Sequence, residues 1–192
     1  SMLSIWKAGK TAVPLNYLLP PQDLGFILKD SGMSALIASS FFEEALGKIR
    51  PLFGDHGKIL MADDSDFVPE SSGMESGADQ DPALYLYTSG TTGRPKGVIL
   101  SHANLLANVE SSQLAGKFNP EDSFLCLLPF FHTYAITGTF LLPFLNGSKA
   151  VLVDRFQPVK VLKLIEEQNI SCFMAIPSMY RVLASSDEEF DV

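Results

Sequence analysis

Cysteine is scarce in this sequence. The 192 residues include two, Cys126 and Cys172, and each lies in a hydrophobic run typical of a strand. Neither belongs to a Cys-x-x-Cys pair and no set of histidines lies near them, which argues against a zinc site. We therefore expect buried free thiols, no metal ligands, and a reducing, cytoplasmic compartment.

Long apolar runs are also missing. No stretch approaches the roughly 18–20 apolar residues of a membrane-spanning helix, and the most lipid-like segment, residues 140–145, contains Pro143 and is followed by Asn146. No basic stripe is present either, so nucleic-acid binding finds no support. With 46% hydrophobic and 19% charged residues, the composition is typical of a globular protein.

Positive charge is missing from one long segment. Residues 59–93 contain no lysine or arginine but seven acidic residues, which account for most of the net charge of −8. Residues 63–82 are also rich in serine, glycine and proline, which predicts a solvated linker. An acidic metal site is the alternative, but the spacing of the carboxylates matches no calcium-binding loop. The predicted division is a first α/β segment at residues 1–62, an acidic linker at 63–82, and a second α/β segment at 83–192.

Elsewhere, strand-like and helix-like patterns alternate along the chain. This alternation is typical of an α/β fold with a layered, mostly parallel sheet flanked by helices. The predicted strands are residues 12–15, 34–38, 58–61, 83–89, 98–100, 122–128, 149–153 and 170–175. The predicted helices are residues 21–30, 41–49, 102–114, 133–145, 158–167 and 178–184, with Ser101 as a candidate N-cap of the third.

Residues 87–98, YTSGTTGRPKGV, carry the strongest chemical pattern. Glycines allow positive φ angles and a close approach of the backbone to a ligand, and consecutive N–H groups in such a turn bind anions. The hydroxyl side chains and the Lys96 cation add donors. These features predict a polyphosphate site, although a flexible Gly/Thr-rich hairpin turn has a similar composition.

This segment differs from the Walker P-loop. The Walker pattern places Gly-Lys-Ser/Thr at the start of a helix, whereas here Pro95 precedes Lys96 and Gly97 follows it. Strand-like runs lie on both sides. We therefore expect a strand–loop–strand site in which hydroxyl and backbone N–H groups bind the anion without a helix N-terminus.

The motif YTSGTTGRPKG closely resembles the phosphate-loop signature of the adenylate-forming enzymes, which include acyl-CoA synthetases, aryl-CoA ligases, luciferases and peptide-synthetase adenylation domains. Residues 6–39 resemble the family's upstream segment, and residues 128–138, LPFFHTYAITG, resemble the segment beside its acyl-binding pocket. Residues 170–183 resemble the strand and helix that follow. The resemblance therefore covers nearly the whole chain and implies a part of the family's large N-terminal domain.

For the loop, the resemblance implies ATP as the ligand. Lys96 is the implied catalytic residue, acting as the cation on the departing pyrophosphate. The implied ATP-binding residues are Thr88, Ser89, Gly90, Thr91, Thr92, Gly93 and Lys96. The family also uses Mg²⁺, whose ligands we expect mostly outside this chain, and coenzyme A as a co-substrate.

His132 lies in an aromatic neighbourhood, between Phe131 and Tyr134. A lone histidine in such company is most often a structural hydrogen-bonding residue. The resemblance instead implies that Phe131, His132 and Tyr134 bind the substrate. His132 would then steer the acid rather than take a proton, because a carboxylate is already ionised near neutral pH. Phe130 and Phe140 are further candidates, but aromatic residues at these spacings usually belong to a core.

The same segment bears on the substrate. Amino-acid-activating relatives place an aspartate after the aromatic residue, to pair with the ammonium group of the substrate, and this chain has Phe131-His132-Thr133 there. We therefore expect a carboxylic acid without an amine, either fatty or aryl. The implied enzyme would convert the acid and ATP to an acyl-adenylate and transfer the acyl group to coenzyme A.

Several family features do not occur before Val192. They are the Thr-Glu motif associated with magnesium, the ribose-binding aspartate, the hinge, and the C-terminal domain with its catalytic lysine. We expect the chain to be part of a longer enzyme and to have no ligase activity alone. Two alternatives stay open: a non-catalytic nucleotide- or phosphate-binding module, and a piece of a fold without ligand affinity.

Overall fold

The computed structural model describes residues 2–53, 57–63, 78–88 and 94–185. Their contacts divide the chain into two compact units, residues 1–103 and 104–192. Each unit combines helices with strands, as an α/β fold requires. The division predicted from composition, at residues 62 and 82, stays a prediction, because residues 64–77 of the linker lie outside the described residues.

The first unit contains two pairs of strands. In chain order its elements are α1 (Met2–Lys7), α2 (Pro21–Asp30), β1 (Ala35–Ala38), a 3₁₀ turn (Ser40–Phe42), α3 (Glu43–Phe53), β2 (Lys58–Met61), β3 (Pro82–Thr88) and β4 (Lys96–Ser101). Strands β1 and β2 are parallel, with Ala35 opposite Lys58. Strands β3 and β4 are antiparallel, so this pair departs from the mostly parallel pattern.

Helix α2 supplies much of the first unit's core. Its Leu24 and Leu28 pack with Leu36 of β1 and with Leu46 and Ile49 of α3. The proline at its first turn lacks an N–H group that would have no partner there. The chain leaves the helix through a glycine, residue 32, at φ +62°, where a side chain would be strained.

The strand predicted at residues 12–15 is wrong in extent. Ala12 forms an isolated parallel bridge to Leu84, in which its N–H group donates to the Ala83 carbonyl and its carbonyl accepts from the Tyr85 N–H group. Pro14 has no N–H group and cannot extend the ladder. A single bridge therefore replaces the predicted strand.

Both described ends of the predicted acidic linker make hydrogen bonds. Asp63 accepts from the backbone N–H group of Ser40 at 2.9 Å and from its hydroxyl, and these bonds lower the pKa of the carboxyl. At the other end, the carbonyls of Asp81 and Asp79 accept from the N–H groups of His102 and Ala103. These carbonyls satisfy two of the backbone donors that every helix leaves free at its start.

The second unit is built on a three-stranded parallel sheet. Its elements are α4 (His102–Gly116, which begins at the boundary), β5 (Ser123–Cys126), a π-helix (Ala135–Leu141), α5 (Leu142–Asn146), β6 (Lys149–Leu152), α6 (Pro158–Glu167), β7 (Cys172–Phe173) and α7 (Pro177–Ala184). The strand order is β6-β5-β7. All four residues of the central strand β5 are buried, and its Leu125 packs with Val161 of α6.

The apolar helix predicted at residues 133–145 is present but has two forms. It begins as a π-helix whose residues are nearly all buried, and it becomes an α-helix at Leu142, next to Pro143. Proline removes the N–H group that would bond to the carbonyl four residues earlier, that of Thr139. Within the part of the chain that the structure describes, no helix is both long and apolar enough to cross a membrane.

Candidate functional site

The predicted phosphate loop connects the two strands of an antiparallel hairpin. Thr88 at the end of β3 lies opposite Lys96 at the start of β4, and Tyr87 lies opposite Gly97. The predicted strand–loop–strand arrangement is therefore confirmed. Of the predicted ATP-binding residues, Thr88 and Lys96 are described and both are exposed. The other five, Ser89, Gly90, Thr91, Thr92 and Gly93, lie outside the described residues.

Two cations lie at the open end of this hairpin. Arg94 and Lys96 are both exposed. The ion pairs within the described ranges join Lys48 to Glu44, Arg50 to Glu43 and Lys160 to Asp154, and none of them uses either cation. Their charge is therefore available to an anionic ligand, and a hydrogen bond to a charged group is worth about 1.5–3 kcal/mol.

The hairpin stem is tied to helix α2 by a tyrosine. The Tyr87 hydroxyl donates a hydrogen bond to Oδ2 of Asp30 at 2.7 Å. Burial, and after it the Asp30 carboxylate, raise the pKa of Tyr87 well above its ordinary value, so the hydroxyl keeps its proton. No local sequence pattern indicates this pair, because the two residues are 57 positions apart.

His132 lies at the start of the helical segment in the second unit. Its N–H group donates to the Pro129 carbonyl and its carbonyl accepts from the Ile136 N–H group. Its exposed ring packs at a tilt against the half-buried Phe131, with 4.7 Å between the ring centres. The backbone of His132 therefore has a structural role, and its ring contacts the neighbouring candidate residue.

Tyr134 and Gly138 are one helical turn apart, beside β7 and α7. Tyr134 is 52% exposed, and burial followed by nearby Tyr180 and Cys172 raises the pKa of its hydroxyl. A Cβ atom on Gly138 would lie 2.6 Å from Sδ of Met174 and 3.8 Å from Cε2 of Tyr134. The absence of a side chain at residue 138 therefore allows Met174 to pack beside Tyr134.

The sequence analysis missed Met174. A glycine inside an apolar helical run is the one signal that pointed to close packing at residue 138. Phe130 and Phe140 have different neighbours: Phe140 packs against Phe130 at 5.4 Å and Phe144 at 6.2 Å. Phe144 is 57% exposed, so this row of rings is not an ordinary core.

Both cysteines are free, as predicted. Cys126 is buried and Cys172 is half-buried, and burial raises the pKa of each thiol to about 11. The Cys126 thiol donates to the Thr139 carbonyl at 2.6 Å, which is the carbonyl that loses its α-helical donor to Pro143. Cys126 is therefore a neutral hydrogen-bond donor within the second unit.

Comparison with known proteins identifies the class of protein that combines α/β units with this hairpin and its glycine- and threonine-rich connection. The chain belongs to the AMP-binding enzyme family, which it matches over residues 1–191. It is 33% identical over 188 residues to a feruloyl-CoA synthase from Amycolatopsis sp, an alignment that covers 96% of this chain and 37% of that protein. It is 30% identical to the mitochondrial malonate–CoA ligase ACSF3 from Xenopus laevis, over 97% of this chain and 34% of the relative.

Solved structures of the family have the same fold. The inhibitor-bound N-terminal domain of FACL13 from Mycobacterium tuberculosis superimposes with a TM-score of 0.87 at 28% identity, over 99% of this chain and 50% of that one. The predicted α/β class and family are therefore confirmed. The chain spans about a third of the length of the curated relatives it matches.

Proposed function

We propose that this chain is part of a longer acyl-CoA ligase, the parent enzyme (the parent), and that it contains the binding site for the phosphates of ATP. The observation that carries the proposal is the hairpin stem, whose open end presents Thr88, Arg94 and Lys96 exposed beside a Gly/Thr-rich connection. Family membership over residues 1–191 supports it. The names of the relatives, a feruloyl-CoA synthase and a malonate–CoA ligase, support a CoA ligase in particular.

The proposed reaction has two steps. A carboxylate oxygen of the acid attacks the α-phosphorus of ATP, the bond to the β-phosphate breaks, and pyrophosphate leaves. The sulfur of coenzyme A then attacks the acyl carbon, AMP leaves with the bonding electron pair, and the thiol proton is released to solvent. Catalysis of this kind depends mainly on positioning and on neutralising charge. Lys96 would stabilise the negative charge that builds on the departing pyrophosphate.

The other proposed ligands of the ATP phosphates belong to the same loop. The pairing of Thr88 opposite Lys96 supports this role for Thr88. The hydroxyls of Ser89, Thr91 and Thr92 and the backbone at Gly90 and Gly93 would add donors. This set stays a proposal, since those five residues lie outside the described residues.

We propose a fatty or aryl acid without an amine as the substrate. Its support is the sequence Phe131-His132-Thr133, which has no carboxylate to pair with an ammonium group. Phe131, His132 and Tyr134 would contact the acid, and the His132 ring packs at a tilt against Phe131. His132 would orient the carboxylate and would not act as a base.

Mg²⁺ would accompany ATP in the parent. Among the described residues, no group of three or more His, Cys, Asp or Glu side chains could hold a metal ion. A cytoplasmic location is proposed from the two free thiols. Because one relative is named as mitochondrial, fractionation of cells that express the parent is the appropriate test.

Replacing Lys96 tests the proposed function. In the parent, Lys96→Ala should slow ATP–pyrophosphate exchange by about 10- to 100-fold, because one hydrogen bond to a charged group is lost. The matched control is Lys58→Ala, which removes an exposed lysine from the first position of β2 and should leave exchange unchanged.

Two results would contradict the assignment. Unchanged exchange in Lys96→Ala would exclude the role of Lys96. A parent that binds pyrophosphate but catalyses no exchange with any carboxylic acid would favour a non-catalytic phosphate-binding module.

A further inference from the structure

Tyr87 lies one residue pair away from the proposed phosphate ligands. In the hairpin, the pair Tyr87 and Gly97 directly precedes the pair Thr88 and Lys96, the last pair of the described ladder. A displacement of Tyr87 and Gly97 would therefore also displace the neighbouring Thr88 and Lys96.

The hydroxyl of Tyr87 is held by a carboxylate on a rigid element. It donates to Asp30 at 2.7 Å, and Asp30 is the last residue of α2, whose Leu24, Ile27 and Leu28 are buried. A carboxylate at the C-terminal end of a helix is disfavoured by the helix dipole. Helix stability therefore does not account for Asp30, whereas the bond from Tyr87 does.

Gly97 provides the space for the tyrosine ring. A Cβ atom at residue 97 would lie 3.1 Å from Cζ, 3.2 Å from Cε1 and 3.3 Å from Oη of Tyr87. The ring therefore lies across the backbone of its partner residue, and its hydroxyl reaches Asp30 from that position. A side chain at 97 would displace both the ring and the hydroxyl.

Among the described residues, few hydrogen bonds other than that of Tyr87 tie the loop end of the hairpin to other segments, although Leu86 beside Tyr87 is buried. The hydrogen bonds that tie β3 to earlier segments lie at its far end: Trp6 Nε1 to the Ala83 carbonyl, Thr11 to the Pro82 carbonyl, and the Ala12 bridge. Val98 and Ile99 of β4 are 44% and 59% exposed. Because a two-stranded pair is marginally stable alone, a tether near its open end has a large effect on its geometry.

We propose that Tyr87, held by Asp30 and seated on Gly97, is a positioning residue that fixes Thr88 and Lys96 for ATP phosphate binding. The proposal rests on the proposed function of Lys96. It adds Tyr87 and Asp30 to the residues on which that function depends, and it gives a reason for glycine at position 97.

The test compares Tyr87→Phe with Tyr85→Phe in ATP–pyrophosphate exchange by the parent. Tyr85 lies two residues earlier on β3, on the same face, so its replacement removes the same hydroxyl from a matched position. Tyr87→Phe should raise the KM for ATP by up to about tenfold, because the lost hydrogen bond to the Asp30 carboxylate no longer fixes Thr88 and Lys96. The KM for the acid should stay within about twofold. A fall in the folded fraction alone would instead lower kcat without a selective effect on the KM for ATP.

Changes at Asp30 and Gly97 test the same unit independently. Asp30→Ala should raise the KM for ATP as Tyr87→Phe does, whereas Asp30→Asn keeps an acceptor oxygen and should recover part of the loss. The double variant Tyr87→Phe/Asp30→Ala should be no worse than either single variant, because both remove one interaction. Gly97→Ala should also raise the KM for ATP, because its methyl group displaces the ring.

The outcomes separate the positioning role from the proposed function. If Tyr87→Phe leaves the KM for ATP unchanged while Lys96→Ala impairs exchange, the positioning role is wrong and the function of Lys96 stands. If neither variant changes exchange, both proposals are wrong. If Tyr87→Phe does not fold, Asp30→Ala replaces it, and an unchanged KM for ATP in that variant overturns the positioning role.

Discussion

Cys126 makes a hydrogen bond that joins two elements distant in sequence. Pro143 cannot donate to the Thr139 carbonyl four residues earlier, and the Cys126 thiol donates to that carbonyl. The sequence predicted a buried free thiol at Cys126 because the residue lies in an apolar run. It did not predict the bond to Thr139, which depends on how β5 and the π-helix pack together.

Cys126→Ala should destabilise the fold by about 0.5–1.5 kcal/mol, because it removes a buried hydrogen bond to the Thr139 carbonyl. Cys126→Ser keeps a donor and should cost less. Urea unfolding near pH 7 measures both free energies, with Cys172→Ala as a control at a half-buried thiol. Equal free energies of unfolding for the Ala and Ser variants would show that the hydrogen bond contributes nothing.

The raised thiol pKa also predicts a pH dependence. Burial raises the pKa of Cys126 from 9.0 to about 11, so between these values the folded state keeps a proton that the unfolded state has lost. Stability from this group is complete below pH 9 and falls as the pH rises toward 11. The same unfolding experiments at pH 8 and about 10.5 should therefore show a smaller pH-dependent loss for Cys126→Ala than for the unchanged chain.

At the scale of elements, local signals predicted most of the fold. The helices at residues 21–30 and 158–167 have their predicted bounds, and each begins with a proline, which marks a first helical turn. The strand at 58–61 is also confirmed. The strand at 12–15 failed because apolar residues suggested a ladder that Pro14 cannot continue.

The packing of elements was less predictable than their positions. The hairpin that carries Thr88 and Lys96 follows from two strand-like runs around a turn motif. The Tyr87–Asp30 bond and the Gly138–Met174 contact join residues that are far apart in sequence. Such contacts depend on tertiary packing, so periodicity and composition do not reveal them.

The contact between the π-helix and Met174, the residue that follows β7, provides a prediction about packing. Gly138→Ala should destabilise the second unit by about 0.5–2 kcal/mol, because overpacking by a methyl group 2.6 Å from Sδ of Met174 outweighs the gain in helix propensity. The double variant Gly138→Ala/Met174→Ala should lose less than the sum of the two single variants. Thermal unfolding or urea unfolding measures these differences.

Gly47 offers a matched control for that experiment. It also lies within a helix, α3, but nothing lies within 4 Å of a Cβ atom placed there. Gly47→Ala should therefore stabilise the chain by about 0.5–1 kcal/mol, through helix propensity alone. A stabilising Gly138→Ala would contradict the close packing of Met174.

At the scale of the whole molecule, family and fold were predictable because one motif is highly specific. YTSGTTGRPKG identified the family from the sequence, and the match over residues 1–191 confirms it. The acid and the full ligand set were not predictable to the same degree. They depend on side-chain positions within an assembled site and on a length of chain about three times that of the present one in the relatives.

Titration of this chain with pyrophosphate tests most directly whether the hairpin binds the phosphates of ATP. Pyrophosphate needs no contacts to adenine or ribose, so Thr88, Lys96 and their loop should be sufficient. Calorimetry should show saturable binding that Lys96→Ala weakens about tenfold or more and that Lys58→Ala leaves unchanged. The absence of saturable heat, or equal affinity in Lys96→Ala and the unchanged chain, would contradict the assignment of the hairpin as a phosphate site.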